Sequence, residues 1–242
     1  MLVETDAVVL SSLKYGDSSL IARCYCKEIG LKSFLLKGIL SSKKGGLKKS
    51  LFQPLSIIRL ITQIKNDQQA GLLFIKEAQL GFPLIEIPSD IKKNTVALFL
   101  SEILTRVISE EGFPNSSLYH FIEKNVIKFE TEAFSAQFHL KFMLELTQEL
   151  GFYPNLSDID QSYFDLENGY FCSHATSQLH RGGDTIVAFK QLLRCNFDTL
   201  GQIKISNTTR NDVLGLLIDY FNLHLLGFGK IKSVDILHEV FK

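Results

Sequence analysis

The chain has 242 residues, with 26 Lys and Arg balanced by 26 Asp and Glu, 45% hydrophobic residues and 21% charged ones. This composition excludes collagen, a continuous coiled coil and wholesale disorder, and the length suits two domains with a sizeable core. Four cysteines in such a chain argue for free thiols or a metal site rather than a disulfide scaffold.

Up to Leu80 the apolar residues fall in short runs rich in Val, Ile, Leu and Phe. These predict strands over Asp6 to Leu13, Ser19 to Cys26, Leu31 to Leu40, Leu55 to Ile64 and Gly71 to Gln79. Turn-forming residues separate them: Tyr15-Gly16-Asp17, Glu28-Ile29-Gly30, Gly45-Gly46 and Lys65-Asn66-Asp67. So short a sheet must protect its edges and bury one face, which suggests a small closed barrel, with an OB-like barrel the leading candidate.

After Pro83 and Pro88 the period becomes helical. Val96, Phe99, Leu100, Ile103, Leu104, Val107 and Ile108 form an amphipathic stripe, with Ser89 or Asp90 to cap its start and Gly112-Phe113-Pro114 to end it. A second helix is predicted from Ser116 to about Glu130, with Leu118, Phe121, Ile122, Val126 and Phe129 inward. A third runs from about Ala133 to Leu150, stopped by Gly151 and Pro154. Three successive helices predict a bundle. The stretch from Asn155 to Gly183 breaks the period and carries a hairpin signal with an Asn168-Gly169 turn. Helices resume at Asp184 to Cys195, Asn207 to Leu226 and Ser233 to Phe241. The expected fold class is α+β. Residues 1–80 are expected to form an OB-fold domain, and residues 81–242 a helical domain with an irregular insertion at about 155–183.

The acidic start Met1-Leu-Val-Glu4-Thr-Asp6 lacks the basic flank and apolar run of a signal peptide. The longest apolar stretch, Val213 to Phe228, is broken by Asp219, Asn222 and His224 and is too polar to span a bilayer. A cytoplasmic protein without a membrane segment is expected.

Overall neutrality conceals a split. Residues 1–80 hold twelve Lys and Arg against six Asp and Glu, whereas residues 81–242 hold fourteen against twenty. Between Lys14 and Lys65 the only acids are Asp17 and Glu28, and a field of that sign attracts polyanions. Lys37, Lys43, Lys44, Lys48 and Lys49 cluster at the end of the third predicted strand and in the Ser/Gly-rich loop after it, with Lys14, Arg23 and Lys32 elsewhere in the same basic segment. These eight are the candidate DNA-binding residues. Lysine supplies charge rather than a bidentate fork, so the contacts expected are with phosphates. Tyr15, Tyr25 and Phe34 can either stack on unpaired bases or fill the barrel, and for Phe34 the interior is the better reading.

Other chemistries find less support. Gly45-Gly-Leu-Lys-Lys-Ser50 lacks the spacing of a P-loop, and no G-x-S-x-G, H-E-x-x-H or G-x-G-x-x-G occurs. No enzymatic activity and no cofactor are expected. Cys24 and Cys26 read as small buried hydrophobes. Cys172, His174 and His180 offer up to three ligands where a structural zinc site needs four. His120, His139, His224 and His238 lie in or near helical stripes and read as capping or surface residues.

The stretch Ala7-Val-Val-Leu-Ser-Ser-Leu-Lys-Tyr15-Gly16-Asp17-Ser-Ser-Leu-Ile21, then Glu28-Ile-Gly30-Leu, Phe34-Leu-Leu-Lys37-Gly38 and Leu51-Phe-Gln53-Pro54-Leu55, resembles the RecO family of bacterial DNA repair proteins. Glu149-Leu150-Gly151-Phe-Tyr-Pro154-Asn155-Leu resembles that family's link between its helices and a zinc-ribbon-like insertion, so the likeness covers essentially the whole chain. It implies an N-terminal OB domain, binding of single- and double-stranded DNA, and annealing of strands coated by single-strand binding protein. It further implies help, with RecR, in loading RecA, and association with the nucleoid. The family's DNA-contacting basic residues carry over to Lys37 and to Lys43, Lys44, Lys48 and Lys49, and docking of the single-strand binding protein tail to the helical domain. Many relatives carry two C-x-x-C pairs in the insertion. Here only Cys172 holds such a position, with Ala175 at its partner place. No metal is therefore expected, and Tyr163, Phe164, Tyr170 and Phe171 are expected to hold the hairpin instead. The rival reading is an OB-fold adaptor that binds acidic protein tails, with DNA binding incidental.

Overall fold

The computed structural model describes residues 1–41, 47–64, 71–111 and 114–241, with the side chains of 109–111 left aside. The predicted turns Gly45-Gly46 and Lys65-Asn66-Asp67, and the helix stop at Gly112-Phe113, lie outside the described residues. Two compact units emerge, Met1–Glu132 and Ala133–Lys242.

The first unit opens with β1 (Leu2–Tyr15), β2 (Ser19–Cys26) and β3 (Gly30–Leu36) as an antiparallel meander. A 3₁₀ turn (Lys49–Phe52) leads to β4 (Ile57–Gln63), which pairs with the first half of β1. Two further segments, β5 (Leu72–Leu73) and β6 (Ile75–Phe82), give the order β5-β3-β2-β1-β4-β6. The two ends of that order are separated in the chain only by Phe74. The sheet therefore curls round on itself, closed by the parallel pairing of β5 with β3.

β1 carries a continuous apolar run because both of its faces are covered. Ala7 and Val9 join Leu20, Ala22, Cys24, Cys26, Phe34, Leu36, Ile58 and Leu60 in the barrel interior. Val8 and Leu10 are equally buried, and β1 packs on two helices of the same unit, as given below. The register of β1 with β2 shifts at a bulge between Val9 and Ser11, just past the last β1–β4 pair, Val8 with Ile57. There Val9 and the segment after the 3₁₀ turn exchange two backbone bonds, Val9 N–H to the Ser56 carbonyl (2.9 Å) and Leu55 N–H to the Val9 carbonyl (2.8 Å). Leu55 holds a left-handed φ of 63° there, a strained state for a leucine, with its side chain buried.

The helices of the first unit are α1 (Glu86–Ser89), α2 (Ile91–Glu111) and α3 (Ser116–Thr131). Asp90 starts α2, its carboxylate accepting the N–H groups of Lys92 (2.7 Å) and Lys93 (2.9 Å), and Asn115 caps α3 through the Leu118 N–H (3.0 Å). All seven residues of the predicted α2 stripe are buried. The Glu130 carboxylate accepts from the N–H groups of Ile85, Glu86 and Ile87 at 2.7, 2.7 and 2.9 Å, holding α1 to α3. The three helices expected to form one bundle are divided between the two units, the third falling in the second. The stripes of α2 and α3 meet the outer face of β1 instead, and the third helix packs within the second unit.

That unit contains α4 (Phe138–Glu149), a small sheet of β7 (Tyr163–Asp165), β8 (Tyr170–Cys172) and β9 (His180–Arg181), then α5 (Asp184–Arg194), α6 (Asn207–His224) and α7 (Ser233–Val240). α4, α5 and α6 pack on one another. Within the insertion, Phe164 and Phe171 face each other across β7 and β8, ring centres 4.9 Å apart. Phe164 also meets Phe189 of α5 and Tyr220 of α6. The hairpin turn is not the two-residue Asn-Gly type. Leu166 to Gly169 make a four-residue loop in which the Asp165 carboxylate accepts from the Glu167 and Asn168 N–H groups and the Asn168 amide. Gly169 takes a φ of 69°, and a Cβ there would lie 2.6 Å from the Tyr220 hydroxyl oxygen.

Candidate nucleic-acid interface

Each barrel lysine is placed by strand register. Lys14, opposite Leu20 near the end of β1, is exposed. Lys37 follows β3 and is also exposed. Its turn is tied to the β1–β2 hairpin, the Gly38 N–H donating to Ser19 Oγ (3.3 Å) and the Leu40 N–H to the Ser18 carbonyl (2.9 Å). Lys14 and Lys37 therefore stand on adjoining turns at one end of the barrel.

Lys48 and Lys49 are exposed at the 3₁₀ turn. Phe52 anchors that turn in the barrel core, and its carbonyl accepts from the Ser12 hydroxyl (2.7 Å). Arg23 and Lys32 stand apart from this group. Arg23 faces Ser11 and Ser33, between the inward Ala22 and Cys24, and so lies on the outer side of β2; Lys32 is registered with Cys24 and lies on the inner side of β3. Both are half-buried. Lys43 and Lys44 lie outside the described residues.

The register also sorts the aromatic candidates. Tyr25 and Phe34 are fully buried. Phe34 is part of the barrel interior, and the Tyr25 hydroxyl donates to the Asn115 carbonyl and accepts from its N–H, both at 3.1 Å. Neither can reach a base. Tyr15 remains exposed, and the ring missed by sequence reasoning is Phe74, 51% exposed, with the Lys37 ammonium 4.9 Å from its centre. Phe74 lies inside an apolar run that reads as an ordinary strand. Only the break between β5 and β6 turns it outward.

An open groove of about 890 Å³ on the barrel is lined by Lys48, Arg59 and Lys76, with Glu4 and Glu77. The Arg59 guanidinium is engaged by Asp6 at 2.8 Å, and that hydrogen bond and charge hold its pKa above the ordinary value. Two lysines then face two glutamates, so this groove is close to neutral. Among the described residues, Lys14, Lys37, Lys48, Lys49 and Lys76 make no ion pair with a carboxylate. The uncompensated positive charge is concentrated on the turns carrying Lys14, Lys37 and Lys49.

The sulfur and imidazole groups are accounted for differently. Cys24 and Cys26 are buried, and burial raises both thiol pKa values, as suits inert core residues. Cys172 donates to the His174 carbonyl (3.3 Å), while the His180 ring bonds Ser177 Oγ (2.9 Å) and lies 3.8 Å from Asp165. Among the described residues no three His, Cys, Asp or Glu side chains converge to hold a metal ion. Tyr163 is half-buried and Tyr170 exposed, so Phe164 and Phe171 supply the core of the insertion. His139 departs from the surface role expected of it. It is buried, and burial, with Arg210 and His238 nearby, lowers its pKa to about 3.

Comparison with known proteins bears on the whole length. Residues 1–81 match the family model "Recombination protein O N terminal" and residues 88–234 match "Recombination protein O C terminal". The chain belongs to the RecO family. Proteins named DNA repair protein RecO are similar to it end to end in Flavobacterium johnsoniae (38% identical), Flavobacterium psychrophilum (36%) and Christiangramia forsetii (35%), each covered over its full length. The N-terminal family model spans the RecO barrel strands, and the C-terminal one takes up α2 to α6 and the insertion. No described helix is long and apolar enough to cross a membrane.

Proposed function

We propose that this chain is a DNA-binding recombination mediator. It holds single and double strands by their phosphates, anneals complementary strands, and with RecR helps load RecA onto strands coated by single-strand binding protein. The observation that carries this reading is the group of exposed, uncompensated lysines at one end of the barrel, in a chain whose family is named for recombination and DNA repair. Lysine ammonium groups on turns suit a phosphate backbone, which presents charge without sequence. Such an arrangement positions strands rather than breaking bonds, so neither turnover nor a cofactor enters the mechanism. The insertion serves as a metal-free counterpart of a zinc ribbon, its place in the core filled by Phe164 and Phe171.

Strand annealing tests the reading. Complementary strands coated with single-strand binding protein are expected to anneal faster with the chain present, and bare strands likewise. The adaptor alternative rests on the same positive charge meeting an acidic tail. It predicts acceleration only when the coating protein keeps its acidic tail, and none on bare strands.

A further inference from the structure

Phe74 sits where the last barrel strand breaks, and its ring is 51% exposed. Its backbone is held, the Phe74 carbonyl accepting from the Thr62 hydroxyl (2.9 Å) and the preceding Leu73 registered with Phe34. A backbone held in this way presents an exposed cation and a flat apolar ring together, with Lys37 Nζ over the ring at 4.9 Å. The Lys37 turn is bonded to the hairpin that displays Lys14 and the exposed Tyr15, and Lys76 lies two residues beyond Phe74. A solitary exposed phenylalanine is ordinary surface. Set beside Lys37 and close to Lys14, neither of which makes an ion pair among the described residues, it complements the two things a single strand offers and a duplex does not offer together: an accessible base face and its adjoining phosphate.

We propose that Phe74 and Lys37 form a stacking station for an unpaired nucleobase, the base lying on the ring while the Lys37 ammonium moves from the ring to the neighbouring phosphate. This rests on the DNA-binding reading and deepens it by assigning a residue that favours single strands. In a duplex the bases are already stacked on one another, so only the lysine contributes there.

The test uses the full chain and three probes of equal length, about 30 nucleotides: oligo-dT, the same backbone with abasic sites in place of the thymines, and a duplex. Affinities are measured by fluorescence anisotropy at one salt concentration for wild type, Phe74→Ala, Phe74→Leu and Phe74→Trp. Phe74→Ala and Phe74→Leu are expected to weaken oligo-dT binding about tenfold, with abasic and duplex binding within about twofold of wild type, and Phe74→Trp to keep oligo-dT affinity. An unchanged oligo-dT affinity in Phe74→Ala, or an equal loss on all three probes, overturns the station. If wild type binds none of the probes, the DNA-binding reading itself fails, a result distinct from failure of the station alone.

Discussion

Replacing Lys14, Lys37, Lys48 and Lys49 together by alanine removes four of the five exposed barrel lysines that make no ion pair among the described residues, leaving Lys76. Each lysine that neutralises a phosphate of a single strand adds about 0.7 to the slope of log affinity against log salt, so five contacts correspond to a slope of about −3.5. Removing four such contacts flattens the slope by about 2.8, so between roughly 50 and 200 mM salt the affinity of the quadruple variant should fall about fiftyfold less than that of wild type. All four side chains are exposed, so the fold should tolerate each change within about 0.5 kcal/mol, and about 2 kcal/mol for the four together, which thermal melting verifies. Anisotropy titration of a labelled oligonucleotide at four or more salt concentrations reads the slope. A folded quadruple variant with the wild-type slope would show that these lysines do not touch phosphate, and the interface would have to be sought elsewhere.

Two further outcomes concern stability and pH. Glu130→Ala removes a carboxylate that answers three N–H groups at the start of α1 and should cost about 2–4 kcal/mol in urea unfolding at neutral pH. Burial raises the Glu130 pKa, but those three bonds and Lys93 outweigh it and hold it below the ordinary range. Its stabilisation is therefore full above the ordinary glutamate value and lost as pH falls through the folded one, so wild type and variant should converge in acid; a gap independent of pH contradicts this. His139 is held neutral in the folded chain, with its pKa lowered to about 3. The unfolded chain takes up that proton below about pH 6.5, so stability is full above that value and falls by up to about 1.4 kcal/mol per pH unit from there towards 3. His139→Leu should show a shallower slope over that window, and matching slopes would refute the assignment.

How much of this was legible in the sequence differs by element. β2 could be read to the residue, Ser19–Cys26, because turns punctuate both ends and Leu20, Ala22, Cys24 and Cys26 alternate towards one interior. The α2 stripe was equally plain, since helical period and burial coincide. α4 starts at Phe138 rather than near Ala133, because residues 133–136 form an irregular approach that apolar pattern does not distinguish from a helix. The hairpin at Asp165 was legible but the length of its loop was not, for a local reason. A carboxylate answering the Glu167 and Asn168 N–H groups stabilises a four-residue turn that the Asn-Gly pair alone does not announce.

At the interface, sequence located the charge but not its sides. The period of two sends Arg23 outward and Lys32 inward, and only the register with Cys24 decides which is which. Tyr25 was unreadable because the outer face of β2 is covered near Asn115, a contact 90 residues away in sequence. Phe74 was hidden for the opposite reason, an apolar residue exposed where β5 and β6 part.

The central claim is that the barrel's lysine-bearing turns, rather than the second unit, hold DNA. Hydrogen exchange of the full chain with and without a saturating single-stranded oligonucleotide tests it most directly. The account predicts slowed exchange in peptides covering the turns at 14–19 and 37–41, the 3₁₀ turn and the start of β6; slowing confined to peptides beyond Ala133 would contradict it.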